Sequence, residues 1–421
     1  MVEKIITIGV AFLVTILVAR YLGPAQFGFL SYAMSIIALG AVAGQVGLDG
    51  LIVRELSKYQ DATQEIMGSS FVLKGFGYLI GLILVMAFTL VTENVQSDEF
   101  WMLLILATTL LFKPFNVVSF WFHSRLEAKY TAIINTTVFI IISIIKIALV
   151  FGGAHLILFA FANAIQSILI SIILIIFYCF KSKHNFTTWR FSFIRAKELL
   201  SQGWMVFLGS IFAVIYLKVD QVMLKWLVGL EEVGIYAVAA SISEAWYFVP
   251  AAIMASFFPR LVKLKENNPV QFNIRLQQLF DLLFILALGV AIAVTLVAEP
   301  LITKTFGIVY QSAVSILIIH IWAALFIFMR GVFSKWVLIE NMFMFSIATQ
   351  GLGALANVVL NYWLIPQYGG VGAAYATLLS YAAASYLALF FHSKTRPMFW
   401  MMSKSIFSPI RYIVYILKKK L

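Results

Sequence analysis

Charge and sulfur are what this chain has least of. Only 11% of its 421 residues are charged, against about 25% in soluble chains, and a soluble surface of this size would need far more. One cysteine, Cys179, is present; an intrachain disulfide and a cysteine cluster for zinc or iron–sulfur are therefore excluded. No G-x-x-x-x-G-K-[ST] phosphate loop and no H-E-x-x-H pair occurs, so ATP hydrolysis by that loop and zincin chemistry have no residues to carry them. The first apolar run, Ile5 to Ala19, lacks a small-x-small cleavage site and is read as a membrane span, not a cleaved signal.

What is present is hydrocarbon. Apolar residues make up 62% of the chain, and the mean hydropathy is +0.98. A span needs about 20 apolar residues, and the runs divide into twelve: 3–21, 27–47, 69–92, 100–122, 130–151, 154–180, 199–226, 233–256, 277–298, 311–332, 342–364 and 370–391. The runs are continuous, without polar alternation, which rejects a strand barrel. The predicted fold class is an all-α polytopic membrane protein of about 12 transmembrane helices. Its expected parts are a bundle over 1–180, a cytoplasmic linker over 181–198, a bundle over 199–391 and a basic amphipathic tail over 392–421.

Net charge is +12, a value that elsewhere points to nucleic acid. Here the cations follow the spans. With the N-terminus inside, 22 of the 30 Lys and Arg fall on the inner side, among them Arg54, Arg125, Arg190, Arg260 and Arg275, and only Arg20, Lys225 and Lys304 fall outside. That asymmetry places both termini in the cytoplasm and makes the span number even; no nucleic acid is expected as a partner. The tail mixes Trp400, Ile406, Ile410, Tyr412 and Tyr415 with Lys404, Arg411 and Lys418–Lys420, which suits an anionic leaflet.

The halves repeat. Gly23 and Gly28 after the first span correspond to Gly229 and Gly234 after the seventh, and Arg54 and Arg260 each follow the first of these glycines by 31 residues. The period is 206 residues, or six spans. An even number makes it a parallel repeat about an axis along the membrane normal, an arrangement suited to alternating access. Gly77-x-x-x-Gly81 is a close-packing pattern.

Three segments carry a family resemblance. Ala19-Arg20-Tyr21-Leu22-Gly23-Pro24-Ala25-Gln26-Phe27-Gly28, with Gly47-Leu48-Asp49-Gly50 and Val53-Arg54-Glu55-Leu56, resembles the opening of the bacterial polysaccharide-biosynthesis flippases. These are the O-antigen (Wzx-like) transporters of the multidrug/oligosaccharidyl-lipid/polysaccharide (MOP) exporter superfamily. Val219 to Leu224 with Glu232-Val233-Gly234-Ile235-Tyr236, and Tyr368-Gly369-Gly370-Val371-Gly372-Ala373-Ala374, are similar to later signatures of the same family. The resemblance implies a polyprenyl-pyrophosphate-linked oligosaccharide as substrate, membrane lipids and the polymerase machinery as partners, the bacterial cytoplasmic membrane as location and no enzymatic activity. No cofactor is implied beyond a coupling proton or cation.

A pyrophosphate head needs a hydrated, cationic route through about 30 Å of hydrocarbon. The cationic candidates are Lys113 and Lys218, deepest in their spans, then Lys74, Lys146 and Arg330 nearer span ends, and Arg54 and Arg260 at the equivalent inner ends. Pro114 is expected to kink the helix beside Lys113. The coupling candidates are Asp220, Glu244 and His320; Asp281 is expected at the interface. Lys74, Lys146 and Arg330 also lie close enough to span ends to snorkel, and Glu244 and His320 suit helix-to-helix pairing as well as proton traffic. The rival readings are an organic-cation antiporter of the same architecture, a non-transporting partner of a polysaccharide synthase and, disfavoured by the short loops, a membrane-embedded glycosyltransferase.

Overall fold

Apolar runs in hydrocarbon leave the backbone one open-chain solution, the helix, which satisfies its polar groups internally. A computed structural model describes residues 2–182 and 185–412, with side chains from residue 7 onward. Lys183 and the tail residues Tyr415 and Lys418–Lys420 lie outside the described residues, as does the side chain of Lys4. Ten helical segments among the described residues are long and apolar enough to cross a membrane. Two of them, Thr7–Lys58 and Phe343–Phe391, have 52 and 49 residues. At 1.5 Å per residue each has more than twice the length of about 20 residues that one crossing needs. The first is broken about a third of the way along, at Gly23 (φ 71°), and the second near its middle, at Gly369 (φ 55°). Twelve crossings result among the described residues.

The chain forms two compact units, Met1–Val222 and Met223–Leu421. The first contains α1 (Val2–Gln45), α2 (Asp49–Lys58), α3 (Thr63–Thr92), α4 (Asp98–Ala107), α5 (Thr109–Phe112), α6 (Val117–Ser124), α7 (Ala128–Phe151), α8 (Leu156–Ser182) and most of α9 (Phe193–Leu227). The closest packing is between α1 and α3. A Cβ on Gly77 would lie 2.3 Å from the Ala43 carbonyl oxygen, and one on Gly81 would lie 2.1 Å from that of Gly40. The pattern at Gly77 and Gly81 therefore faces a second one, Gly40-x-x-x-Gly44, and the two backbones approach as only glycines permit. The six-span repeat puts α9 at the head of the second half; by packing, most of it belongs to the first unit. A Cβ on Gly203 would meet Leu48, and one on Gly47 would meet the backbone of Phe207.

The second unit contains α10 (Leu230–Glu244), α11 (Phe248–Asn267), α12 (Pro269–Thr305), α13 (Ala313–His320), α14 (Ala323–Glu340), α15 (Phe343–Ser385) and α16 (Arg396–Ile406). Its core gathers Met254, Leu276, Phe280, Leu283, Phe328 and Phe333. The tail helix α16 docks onto this core through Met398 and Met402, while Trp400 and Ile406 stay exposed. The amphipathic pattern of the tail thus serves a protein face on one side.

Candidate functional site

The candidate cations of the first unit meet three different fates. The chain turns sharply at Val46 (φ 49°) and Gly47 (φ 63°), and α2 then opens on Asp49. This turn returns the carboxylate to α3, where Lys74 Nζ lies 2.6 Å from Asp49 Oδ1 and 5.3 Å from the Phe120 ring centroid. Lys74 is 1% exposed. It neither snorkels nor presents a free charge: the Asp49 carboxylate neutralises it. Lys146 donates to Asn163 Oδ1 at 2.8 Å, and Asn163 Nδ2 donates to the Phe159 carbonyl. An amide leaves the charge in place but fixes its position.

Lys113 is different. The helix tightens into a 3-10 turn over Lys113–Asn116, where Pro114 removes an N–H and disturbs the ladder. The Phe112 carbonyl accepts from Ser171 Oγ at 3.0 Å, so α8 takes up a backbone group at the break. Lys113 itself is half-buried and has no hydrogen-bonding or acidic partner among the described residues. Ionised lysines at membrane depth are expensive and mark polar pathways, so an unneutralised one at a helix break is the strongest cationic candidate in this unit. Elsewhere in it, Arg54 is exposed and donates to Glu55 at 2.9 Å and to Gln202. Asp220 is buried and Lys218 half-buried on α9, where Ser35 Oγ donates to Gln221 at 2.7 Å.

In the second unit both coupling candidates stand at interruptions. Glu244 ends α10 before the break at Ala245–Tyr247. Pro250 explains the break, because a proline disfavours helix at the residues before it. His320 ends α13, is 2% exposed and packs edge-on against Tyr236 at 5.8 Å; the Tyr236 hydroxyl lies 3.5 Å from Thr377 Oγ1. Glu232 Oε1 accepts from the Gly370 N–H at 2.7 Å, so two of the signature segments of the sequence hold each other at the Gly369 kink.

Arg330 does not snorkel. Its guanidinium donates to Thr349 Oγ1, to Ser346 and to the Ala384 carbonyl at 3.2–3.4 Å, tying α14 to both limbs of the α15 region. Asp281 is not at an interface with water either. It is 3% exposed and accepts from Arg411 at 2.8 Å, from Ser405 at 2.7 Å and from Gln277 at 2.8 Å, because the docked tail covers it. Arg260 is exposed in the C-terminal half of α11. Asp49, Asn163, Ser171 and Glu232 are absent from the candidates read from sequence. Asp49 stood in a recognisable Gly-Leu-Asp-Gly motif, but its partner is 25 residues away and only the fold joins them.

The family model for polysaccharide biosynthesis proteins matches residues 1–265. A probable flippase, AglR of Haloferax volcanii, is 23% identical over 386 residues, 90% of this chain and 78% of the relative. Among solved structures, the lipid II flippase MurJ in an inward closed conformation superposes with a TM-score of 0.75 at 16% identity, covering 98% of this chain and 92% of MurJ. An inward-facing multidrug resistance transporter of the MATE family gives 0.72 at 14% identity, over 96% and 95% of the two chains. Both likenesses are of fold and run over nearly the whole chain. The chain is a multi-pass membrane protein whose fold is like that of MurJ and of the MATE-family transporter, and it belongs to the polysaccharide biosynthesis protein family.

Proposed function

We propose that this protein is a flippase that carries a polyprenyl-pyrophosphate-linked oligosaccharide across the cytoplasmic membrane by alternating access, with both termini inside. The observation that carries the reading is Lys113: a half-buried ammonium at a proline-broken span, without a counter-ion among the described residues. An anionic head group supplies the missing charge, and its attraction is strong where water is scarce. The names of the relatives support the class of cargo, since one is a probable flippase and another flips lipid II. An organic-cation antiporter needs unneutralised acids instead. Two acids of the present chain, Asp49 and Asp281, are already bonded to Lys74 and Arg411. Lys218, Lys146 and Arg330 extend the cationic route in this proposal, and Asp220, Glu244 and His320 are the groups for proton coupling.

The test is the sidedness of lipid-linked oligosaccharide in cells depleted of the protein and complemented with variants. Lys113→Ala is expected to leave the lipid on the inner leaflet and to cut flipping at least tenfold, with Lys113→Arg retaining most of it. An unchanged lipid pool on depletion would refute the cargo; a fully active Lys113→Ala protein, present at normal level, would refute the role of the lysine.

A further inference from the structure

At the inner end of the second unit, α11 and α12 run antiparallel on either side of the turn at Asn268, whose side chain caps α12 by accepting from the Gln271 N–H at 3.0 Å. Between them lies a groove of about 210 Å³. Its walls are two helix faces with one spacing. Phe257, Arg260, Leu261 and Leu264 come from α11, and Arg275, Gln278, Leu279 and Leu282 from α12. Both sets follow i, i+3, i+4, i+7, the spacing of a single helical face.

Counting outward from the turn, Arg260 and Arg275 stand at nearly the same height. Both lie just beyond the apolar windows of their spans, at the inner head-group level that the charge asymmetry assigns. Toward the hydrocarbon the groove becomes purely apolar. Leu282 lies seven residues, about 10 Å, above Arg275. Phe257 and Leu282 are 42% and 41% exposed and open to the outside of the unit.

No carboxylate lines this groove. Nearby cations are treated otherwise: Lys265 has Glu340 and Arg411 has Asp281. Arg275 has only the Gln278 amide, at 2.8 Å, and Arg260 has no hydrogen-bonding or acidic partner among the described residues. Two guanidiniums lining one groove repel, and a planar fork matches phosphate oxygens in pairs.

We infer that this groove binds an anionic phospholipid of the inner leaflet, its phosphate held between Arg260 and Arg275 and one acyl chain lying along Phe257, Leu279 and Leu282. Charge complementarity selects the head, and the apolar limb above the arginines selects a lipid over a free anion. The assignment stands independently of the flippase reading and places Arg260 outside the substrate route.

The full-length protein, purified in detergent and stripped of lipid, is titrated with phosphatidylglycerol, phosphatidylcholine and inorganic phosphate, with bound lipid read by native mass spectrometry. Phosphatidylglycerol is expected to bind at least tenfold more tightly than phosphatidylcholine. Arg260→Gln/Arg275→Gln is expected to weaken it roughly ten- to thirty-fold, from about 1 kcal/mol per basic residue at an anionic surface. Lys263→Gln/Lys394→Gln, which removes the same charge from exposed positions of the unit, is expected to change it less than threefold. Phe257→Ser/Leu282→Ser, which keeps the arginines and removes apolar wall, is expected to weaken phosphatidylglycerol at least fivefold. Equal binding of the two lipids, equal loss in the two charge variants, or phosphate binding as tight as phosphatidylglycerol would overturn the site. Displacement of phosphatidylglycerol by an equal concentration of polyprenyl phosphate would also overturn it and return the groove to the substrate. An unchanged melting temperature of the lipid-free arginine variant separates lost binding from lost folding.

Discussion

Arg54 and Arg260 occupy the same position of the six-span repeat, yet the two units treat them differently. Arg54 donates to the adjoining Glu55 and to Gln202 of α9, and its charge is spent within the protein. Arg260 has neither and lines a groove with a second arginine. The same contrast divides the deeper cations: Lys74 is neutralised by Asp49, Arg330 is bound to hydroxyls and carbonyls, and Lys113 has no such partner among the described residues. A repeat thus preserves where a cation stands without preserving what the cation does. The basic residues of this chain are sorted by their counter-ions, and the counter-ions come from the fold.

The sharpest way to break the comparison is to strip the neutralised cation of its partner. Asp49→Asn leaves Lys74 charged and almost fully enclosed. Breaking a buried pair on one side costs about 3–5 kcal/mol; Asp49 is itself more than half exposed, so a loss near 2 kcal/mol is expected, read as a lower melting temperature and reduced membrane level. Asp49→Asn/Lys74→Met, which removes both charges, is expected to recover most of that stability. A double variant as unstable as the single one would show that the carboxylate acts through something other than Lys74.

Close packing sharpens the contrast within a single helix. Gly77→Ala places a methyl 2.3 Å from a carbonyl oxygen of α1, whereas a Cβ on Gly75, two residues earlier in α3, meets nothing closer than Pro114 Cγ at 4.0 Å. Overpacking against backbone costs about 1–3 kcal/mol, so Gly77→Ala is expected to lower the melting temperature clearly and Gly75→Ala to leave it within the error of the measurement. Equal effects would mean that α1 slides to accommodate the methyl.

Span number, the repeat and the break at Pro114 were legible because each rests on local signals: apolar run length, glycine spacing and a missing N–H. The break before Pro250 was legible in principle, but the apolar run continues across it without a polar interruption and reads as one helix. The partners were not legible. Asp49 to Lys74 spans 25 residues and Asp281 to Arg411 spans 130, and the latter depends on the tail folding back onto α12, which no periodicity in either segment announces. Asp281 looked interfacial for that reason. The candidate site was therefore readable as a set of cations, and unreadable as to which of them remain available.

The smallest expected effect tests the repeat itself. Arg54→Gln removes an ion pair whose arginine side chain is 58% exposed, and exposed pairs contribute about 0–1 kcal/mol; stability is expected to change by less than the error of a melting curve, and lipid binding not at all. Transferring the counter-ion asks the converse question. Leu261→Glu sets a carboxylate directly after Arg260, as Glu55 follows Arg54, but Leu261 is buried and a charge there would damage the core. Gln278→Glu is the better choice, because Gln278 already contacts Arg275 at 2.8 Å and lines the same groove. The new carboxylate neutralises Arg275 in place, so phosphatidylglycerol affinity is expected to fall severalfold with the melting temperature unchanged or slightly raised. Undiminished affinity in Gln278→Glu would show that the vacancy of charge in the second unit, unlike its filling in the first, has no consequence for what binds there.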